Sequence, residues 1–438
     1  MIGVHRISGD TFTGLATGAG GPHAVRALRD AQLSRHLLLL KFIAAEWPVD
    51  PAERDRAIGV LAEAQARRPE AVADLLRDPM VGAWTAWTAR RIRGSVDSPV
   101  PLHADLGHLG AVAAEAAVRT GLDAELTAYV RDGRATVPTR GSAVLPLPDA
   151  TVVAVRTRGG ALRLRAGGMT VDAPAQPGED ASGWHGLRWL TAESAGRRAR
   201  VAVNDLDPYR DHHHVPAAVR LPAHEWSHWR DTFGAAWELL VRYAPVRAAE
   251  LAVGLRSVVP LAEIGVGHAR SATARDAFGS FGLTAPDSPA AFAVTLVHEF
   301  QHSKLSALLN LTPLYDATHP RTHYAPWRLD PRPIGGLLQG VYAFLSVADT
   351  WRRLRAAPGI GELAERQFAE IREQVNHALD TLSRSPALTP HGQAFAAGMR
   401  ATVDDLMSEP LPAGVTARAR EGLARNLAAW RQRNAQPA

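Results

Sequence analysis

Apolar residues return at close to a 3.6-residue period along the first third of the chain. Over residues 24–47 they are Val25, Leu28, Leu33, Leu37 and Leu40, a spacing that predicts an amphipathic helix. Residues 52–76 and 111–129 follow the same style, with proline-containing breaks between them. Near Thr136 the period shortens. Residues 150–156 are valine-rich, Arg158-Gly159-Gly160 reads as a turn, 161–165 alternate, and Gly167-Gly168 turns the chain again. This is the pattern of an antiparallel β-meander, and 198–203 reads as one further strand. A polar stretch over 204–214 closes the region. From Leu221 the helical period returns, and 222–243 is amphipathic. Ser288-Pro289 reads as an N-cap followed by proline at the first helical position, opening a helix expected to run to about Asn310. Residues 336–355 and 360–384 read as two more helices, broken by Pro358-Gly359.

The expected fold is therefore α+β and predominantly α-helical, with a small antiparallel β-meander region in the middle. Its expected regions are helical over 1–135, β-rich over 136–215 and helical over 216–438. No internal repeat is visible. Composition agrees with a globular chain: 438 residues, 46% hydrophobic and 21% charged. There is no cysteine, which excludes disulfide scaffolds, thiolate zinc sites, iron–sulfur clusters and cysteine nucleophiles. A metal ion would have to be held by imidazole, carboxylate or another oxygen donor.

The formal net charge is +5, but only Lys41 and Lys304 among the 49 basic residues are lysine. No dense basic tract is interleaved with aromatics, so no nucleic-acid partner is expected. The arginine-rich stretch 418–433 also carries Leu423, Leu427 and Trp430 at helical spacing, which predicts an amphipathic helix. The aliphatic run 37–40 is bounded by His36 and Lys41 and is too short to span a bilayer. No signal-peptide pattern opens the chain, so a soluble, cytoplasmic protein with no membrane partner is expected.

The pattern His-Glu-x-x-His occurs twice, at His224–His228 and at His298–His302. Two imidazoles four residues apart lie on one helix face and can grip one metal ion, with the glutamate close by. In the upstream copy, Trp226, Trp229, Phe233, Trp237 and Leu240 form one stripe, and His224 and His228 fall on the opposite, solvated side. In the downstream copy the helix is apolar on most sides. Val294, Leu305 and Leu309 share the side of His298 and His302, while Leu296 and Phe300 lie opposite. Buried paired imidazoles need partners, and a metal ion is the expected one; a hydrogen-bonded core histidine pair is the alternative. The 216–438 region is accordingly read as the metal-binding, catalytic region, built on a zincin-like metal helix. The His212-His213-His214 run is read as a histidine-rich loop.

The third ligand is not visible in the spacing. The next helix offers Gln339 and Asp349, and the loop between offers His319, His323 and Asp330. No glutamate follows until Glu362, and Leu305 and Leu308 replace the glycine and third histidine of the extended metalloprotease motif. The loop Tyr324-Ala325-Pro326-Trp327-Arg328-Leu329-Asp330-Pro331-Arg332-Pro333 adds two arginines suited to carboxylates. Lys304, a rare lysine two residues after His302, is a candidate point charge.

The run 296–305, Leu-Val-His-Glu-Phe-Gln-His-Ser-Lys-Leu, resembles the HExxH-motif proteins of actinobacterial ribosomal-peptide clusters, the α-ketoglutarate-dependent HExxH-type peptide β-hydroxylases. Ser271-Ala272-Thr273, the 324–333 loop, residues 336–344 and Asp349-Thr350-Trp351-Arg352 extend the resemblance, and the opening from His5 to Leu40 shares the family's look. The resemblance implies an Fe(II) centre that uses 2-oxoglutarate and O₂ to hydroxylate a β-carbon in a ribosomally synthesised precursor peptide. It implies His298 and His302 as iron ligands but does not place the third, for which Gln339 is the first candidate and Asp349 or His323 the replacements. It implies Glu299 as a catalytic residue, with Arg328, Arg332, Lys304 and Tyr324 as candidates for holding the co-substrate. Some members are fused behind a radical SAM domain. A chain without cysteine cannot ligate that cluster, so any radical SAM maturase would be a separate polypeptide. The alternatives are a zinc peptidase with Glu299 as general base, and a catalytically silent peptide-binding partner.

Overall fold

The computed structural model describes residues 5–211, 216–263 and 270–434. The His212-His213-His214 run lies outside these residues. The protein is mixed α/β, 54% helical and 16% strand, with antiparallel sheets. Six helices open it: α1 (Gly9–Ala16), α2 (Gly21–Ala45), α3 (Pro51–Arg67), α4 (Pro69–Leu76), α5 (Pro79–Ile92) and α6 (Leu102–Thr120). Prolines punctuate them. The single helix expected over 52–76 is two helices, because Pro69 cannot donate an N–H to the turn before it. Asp50 and Asp78 accept from the N–H groups of Ala52 and Met80, capping α3 and α5. The helix expected over 111–129 also divides. Gly121 ends α6 at φ +69°, and β1 (Ala124–Tyr129) begins three residues later, burying Leu126 and Ala128 at alternate positions.

The meander follows as read. The strands are β2 (Arg134–Val137), β3 (Gly141–Val144), β4 (Val152–Arg158), β5 (Ala161–Ala166), β6 (Met169–Asp172), β7 (Trp184–Gly186), β8 (Arg188–Ser194) and β9 (Arg197–Val203). β1, β4, β5 and β6 form one antiparallel sheet, and β2, β3 and β7 another. β4 exposes and buries alternate residues, with Val153, Val155 and Thr157 inward. These sheets share a core with α3–α6, including Trp84, Val112 and Leu164.

The second core contains the candidate site. Its elements are α7 (Ala223–Tyr243), α8 (Pro245–Gly254), β10 (Ser257–Pro260), β11 (Ser271–Thr273), β12 (Ser280–Leu283) and α9 (Pro289–Leu309). They are followed by β13 (Thr322–His323), β14 (Arg332–Pro333), α10 (Ile334–Leu354), α11 (Gly361–Ser383), α12 (Pro390–Ser408) and α13 (Ala413–Arg433). A five-stranded sheet runs β11-β12-β10-β9-β8, parallel at β9–β10 and β10–β12 and antiparallel at both ends. This sheet joins strands from both sides of residue 215, so the β-rich and second helical regions of the sequence share one layer. Leu15, Val25 and Leu28 also enter this core, so the first region contributes to both cores. α13 packs loosely, with only Ala419 buried and Leu423, Leu427 and Trp430 half-buried. No helix among the described residues is long and apolar enough to cross a membrane.

Candidate metal centre

α9 begins as its sequence dictates. The Ser288 hydroxyl accepts from the Ala291 N–H at 3.2 Å, and Pro289 takes the first turn. The helix lies between α7 and α10 and over β11 and β12, with Leu296, Phe300, Leu305 and Leu308 in the core. Its four-residue repeat brings the Nε2 atoms of His298 and His302 to 3.1 Å from one another. Two nitrogens bound to one ion at about 2.0–2.1 Å each can adopt that separation. On the other side of its ring, His302 donates from Nδ1 to Oε1 of Gln339 at 2.9 Å. That bond sets the tautomer and turns the lone pair of Nε2 toward Nε2 of His298. Gln339 is held in turn by donating to the Ser306 hydroxyl at 3.3 Å. Burial, and secondarily the His302 imidazole, hold His298 well below the usual histidine range, so its ring is neutral. Phe344 packs edge-on against His298 with ring centroids 4.8 Å apart.

Glu299 is 2% exposed, and hydroxyls hold both its oxygens. Ser271 donates to Oε1 at 2.6 Å and Thr273 to Oε2 at 2.5 Å. A strand sends residues i and i+2 to one face, so the Ser-Ala-Thr of β11 aims both hydroxyls at one carboxylate. Oε1 of Glu299 is 3.8 Å from Nε2 of His298.

The pair faces an open cavity of about 1090 Å³. Arg270, Arg275, Arg328 and Arg332 line it, and Glu299 is the one carboxylate lining it among the described residues. Trp327 stacks on Phe344 at 4.7 Å to form an aromatic wall. Gly340 permits this, since a β-carbon there would stand 2.3 Å from the Trp327 ring.

The structure brings His298, Glu299, His302, Gln339, Arg328 and Arg332 to this cavity. It places three of the candidates elsewhere than expected. The side-chain oxygen of Gln339 is engaged at Nδ1 of His302, behind the ring. Lys304 points away from the cavity, 0% exposed, donating to Oε2 of Glu250 and the carbonyl of Ala19, both at 2.9 Å. Tyr324 is turned to α13, donating to Oδ1 of Asn426 at 3.0 Å and packing on Trp430. The replacements also lie outside the cavity lining. Asp349 is paired with Arg247, Arg352 and Arg353, and His323 sits on β13 with its Nε2 unpartnered among the described residues. Arg328 and Arg332 share Asp330, at 2.9 and 3.2 Å.

The upstream motif copy lies where the helical stripe places it. Trp229, Phe233, Trp237 and Leu240 are buried, His224 and His228 are exposed, and His228 faces the Pro286 carbonyl at 2.9 Å. Arg270 and Arg275 were not legible as cavity residues, because a folded loop rather than a helical period carries them there.

As a metal site the donor set is two imidazoles with one carboxylate near them. Among the described residues no group of three His, Asp or Glu stands ready to enclose an ion. Two converging imidazoles with one ring oriented from behind fit a divalent ion that keeps open positions. No protein-family model matches the chain, and a search of curated proteins gives no match.

Proposed function

We propose that the chain is a non-haem iron, 2-oxoglutarate-dependent oxygenase that hydroxylates a β-carbon of a ribosomally synthesised precursor peptide on a zincin-like metal helix. The observation that carries this reading is the convergence of His298 and His302, with His302 fixed by Gln339, on an open cavity rich in arginine. In this reading His298 and His302 hold Fe(II), and positions remain for a chelating keto acid and O₂. When bound, the iron with 2-oxoglutarate and O₂ supplies insertion of one oxygen atom into a C–H bond, the keto acid leaving as succinate and CO₂. The residues of the chain bind and orient. Arg328 and Arg332, held side by side by Asp330, offer guanidinium forks to the co-substrate carboxylates. Trp327 and Phe344 give the reacting side chain an apolar wall. Gln339 holds the His302 ring, and Ser271 and Thr273 hold Glu299 beside the pair.

A zinc peptidase would need Glu299 to take a proton from water. Both its oxygens already accept short hydrogen bonds, which favours the oxygenase. A separate radical SAM maturase acting on the same peptide is compatible with this reading. The test is aerobic incubation of the chain with Fe(II), 2-oxoglutarate and a ribosomal precursor peptide. Gain of one oxygen atom with matching succinate release is the expected result. Cleavage of the peptide with zinc would replace this reading with the peptidase, and binding without either change would leave only a peptide-binding partner.

A further inference from the structure

β11 is an edge strand, and its open edge borders the cavity. Arg270, just before it, exchanges hydrogen bonds with Thr284 toward β12: the Thr284 N–H donates to the Arg270 carbonyl at 2.9 Å, and the Arg270 N–H donates to the Thr284 hydroxyl at 3.0 Å. An antiparallel ladder alternates, so Ala272 also faces β12, opposite Gly282. Leu283, opposite Ser271, gives its carbonyl to the Leu261 N–H on the far side at 2.9 Å. The backbone N–H and C=O groups of Ser271 and Thr273 therefore point to the open edge. No strand covers that edge among the described residues.

Charge says what kind of chain fits there. Arg270 and Arg275 flank β11, line the cavity, are exposed, and have no ion pair among the described residues. Arg328 and Arg332, by contrast, share Asp330. With Glu299 held by Ser271 and Thr273, the cavity presents two uncommitted guanidinium groups and no free carboxylate to oppose them.

We propose that an extended segment of the substrate adds as a strand along the open edge of β11, and that Arg270 and Arg275 select acidic side chains on either side of the residue that reacts. The substrate class is thus an acidic peptide, bound by main-chain pairing and read by two arginines. This rests on the reading that the substrate is a peptide, but it does not need iron, so it is tested on the metal-free chain.

The probes are fluorescein-labelled decapeptides with two glutamates flanking a neutral centre, and their glutamine and lysine counterparts. Binding to the full chain is read by anisotropy with EDTA present. The glutamate peptide is expected to bind about tenfold tighter than the glutamine one for each arginine engaged, a preference that weakens with salt. R270Q/R275Q is expected to erase the preference and R270K/R275K to keep part of it. N-methylation of alternate backbone amides is expected to weaken binding in one register and not in the other. Equal binding of the glutamate and glutamine peptides, or an unchanged preference in R270Q/R275Q, overturns the proposal. So does a variant whose peptide affinity is unchanged while its 2-oxoglutarate requirement rises, because the two arginines would then clamp the co-substrate. An acidic preference together with a precursor peptide that binds but is not oxidised leaves this inference standing and defeats the oxygenase; an oxidised precursor peptide without an acidic preference does the reverse.

Discussion

Oε1 of Gln339 accepts from Nδ1 of His302 at 2.9 Å, on the side of the ring away from His298. This contact decides how His302 is used. It orients the ring and leaves Nε2 as a lone-pair donor, the arrangement in which an outer group tunes a metal ligand. Gln339→Leu should lower divalent metal affinity about 10–100-fold without unfolding the chain. Gln339→Glu keeps an acceptor and should recover most of the loss. Calorimetric titration with Co(II) reads both, and equal affinity in wild type and Gln339→Leu would show that the contact has no such role.

The two motif copies separate cleanly by burial. His224→Ala/His228→Ala should leave metal stoichiometry and affinity unchanged, since both side chains sit on the solvent side of α7. His298→Ala should abolish specific binding. A metal count that drops in the upstream double variant would assign the site to the other helix.

Lys304 and Glu250 form a buried pair, 0% and 2% exposed at the side chain. Glu250 also accepts from the Gly21 N–H at 2.9 Å, so the pair ties α8, α9 and the start of α2 together. Lys304→Met leaves the buried Glu250 carboxylate with only Arg247, at 3.7 Å, and the Gly21 N–H, and should cost about 3 kcal/mol in urea unfolding. Adding Glu250→Gln should recover part of that loss. Additive losses in the double variant would show that the two side chains do not act as a pair.

Much of this fold was legible in the sequence where one local signal decides the outcome. Ser288-Pro289 opens α9, and Gly159-Gly160 and Gly167-Gly168 turn the meander. Where two periods overlap, the reading fails. Residues 111–129 keep an apolar rhythm across Gly121, and only the left-handed backbone there shows that a helix has given way to a strand. Long-range partners are not legible at all. Lys304 stood out as a rare lysine beside the motif, but Glu250, 54 positions away, buries it behind the helix. Gln339 is visible as a candidate near the histidine pair, but its place behind the His302 ring depends on how α10 packs on α9.

His36 gives the fold a pH dependence of its own. It is 1% exposed, its Nδ1 donates to the Leu76 carbonyl at 2.8 Å, and burial pushes it down from 6.5 to about 4. The native state therefore prefers the neutral ring. The unfolded chain takes up a proton first as pH falls, so this stabilisation is full above pH 6.5 and is lost as pH falls from 6.5 through about 4. The loss amounts to about 3 kcal/mol at the bottom of that window. His36→Gln should flatten the slope of unfolding free energy against pH in this range. Parallel curves for the two proteins would contradict the assignment.

In the proposed function, His298 and His302 hold an iron ion with positions open to a chelating keto acid. The most direct measurement is visible absorption of the chain under anaerobic conditions, loaded with Fe(II) and then titrated with 2-oxoglutarate. The expected result is the charge-transfer band of a keto acid chelated to Fe(II), saturating at one equivalent in the wild type and absent in both His298→Ala and His302→Ala. No band in the wild type, with zinc bound at the same histidines and peptide cleavage dependent on Glu299, would contradict it.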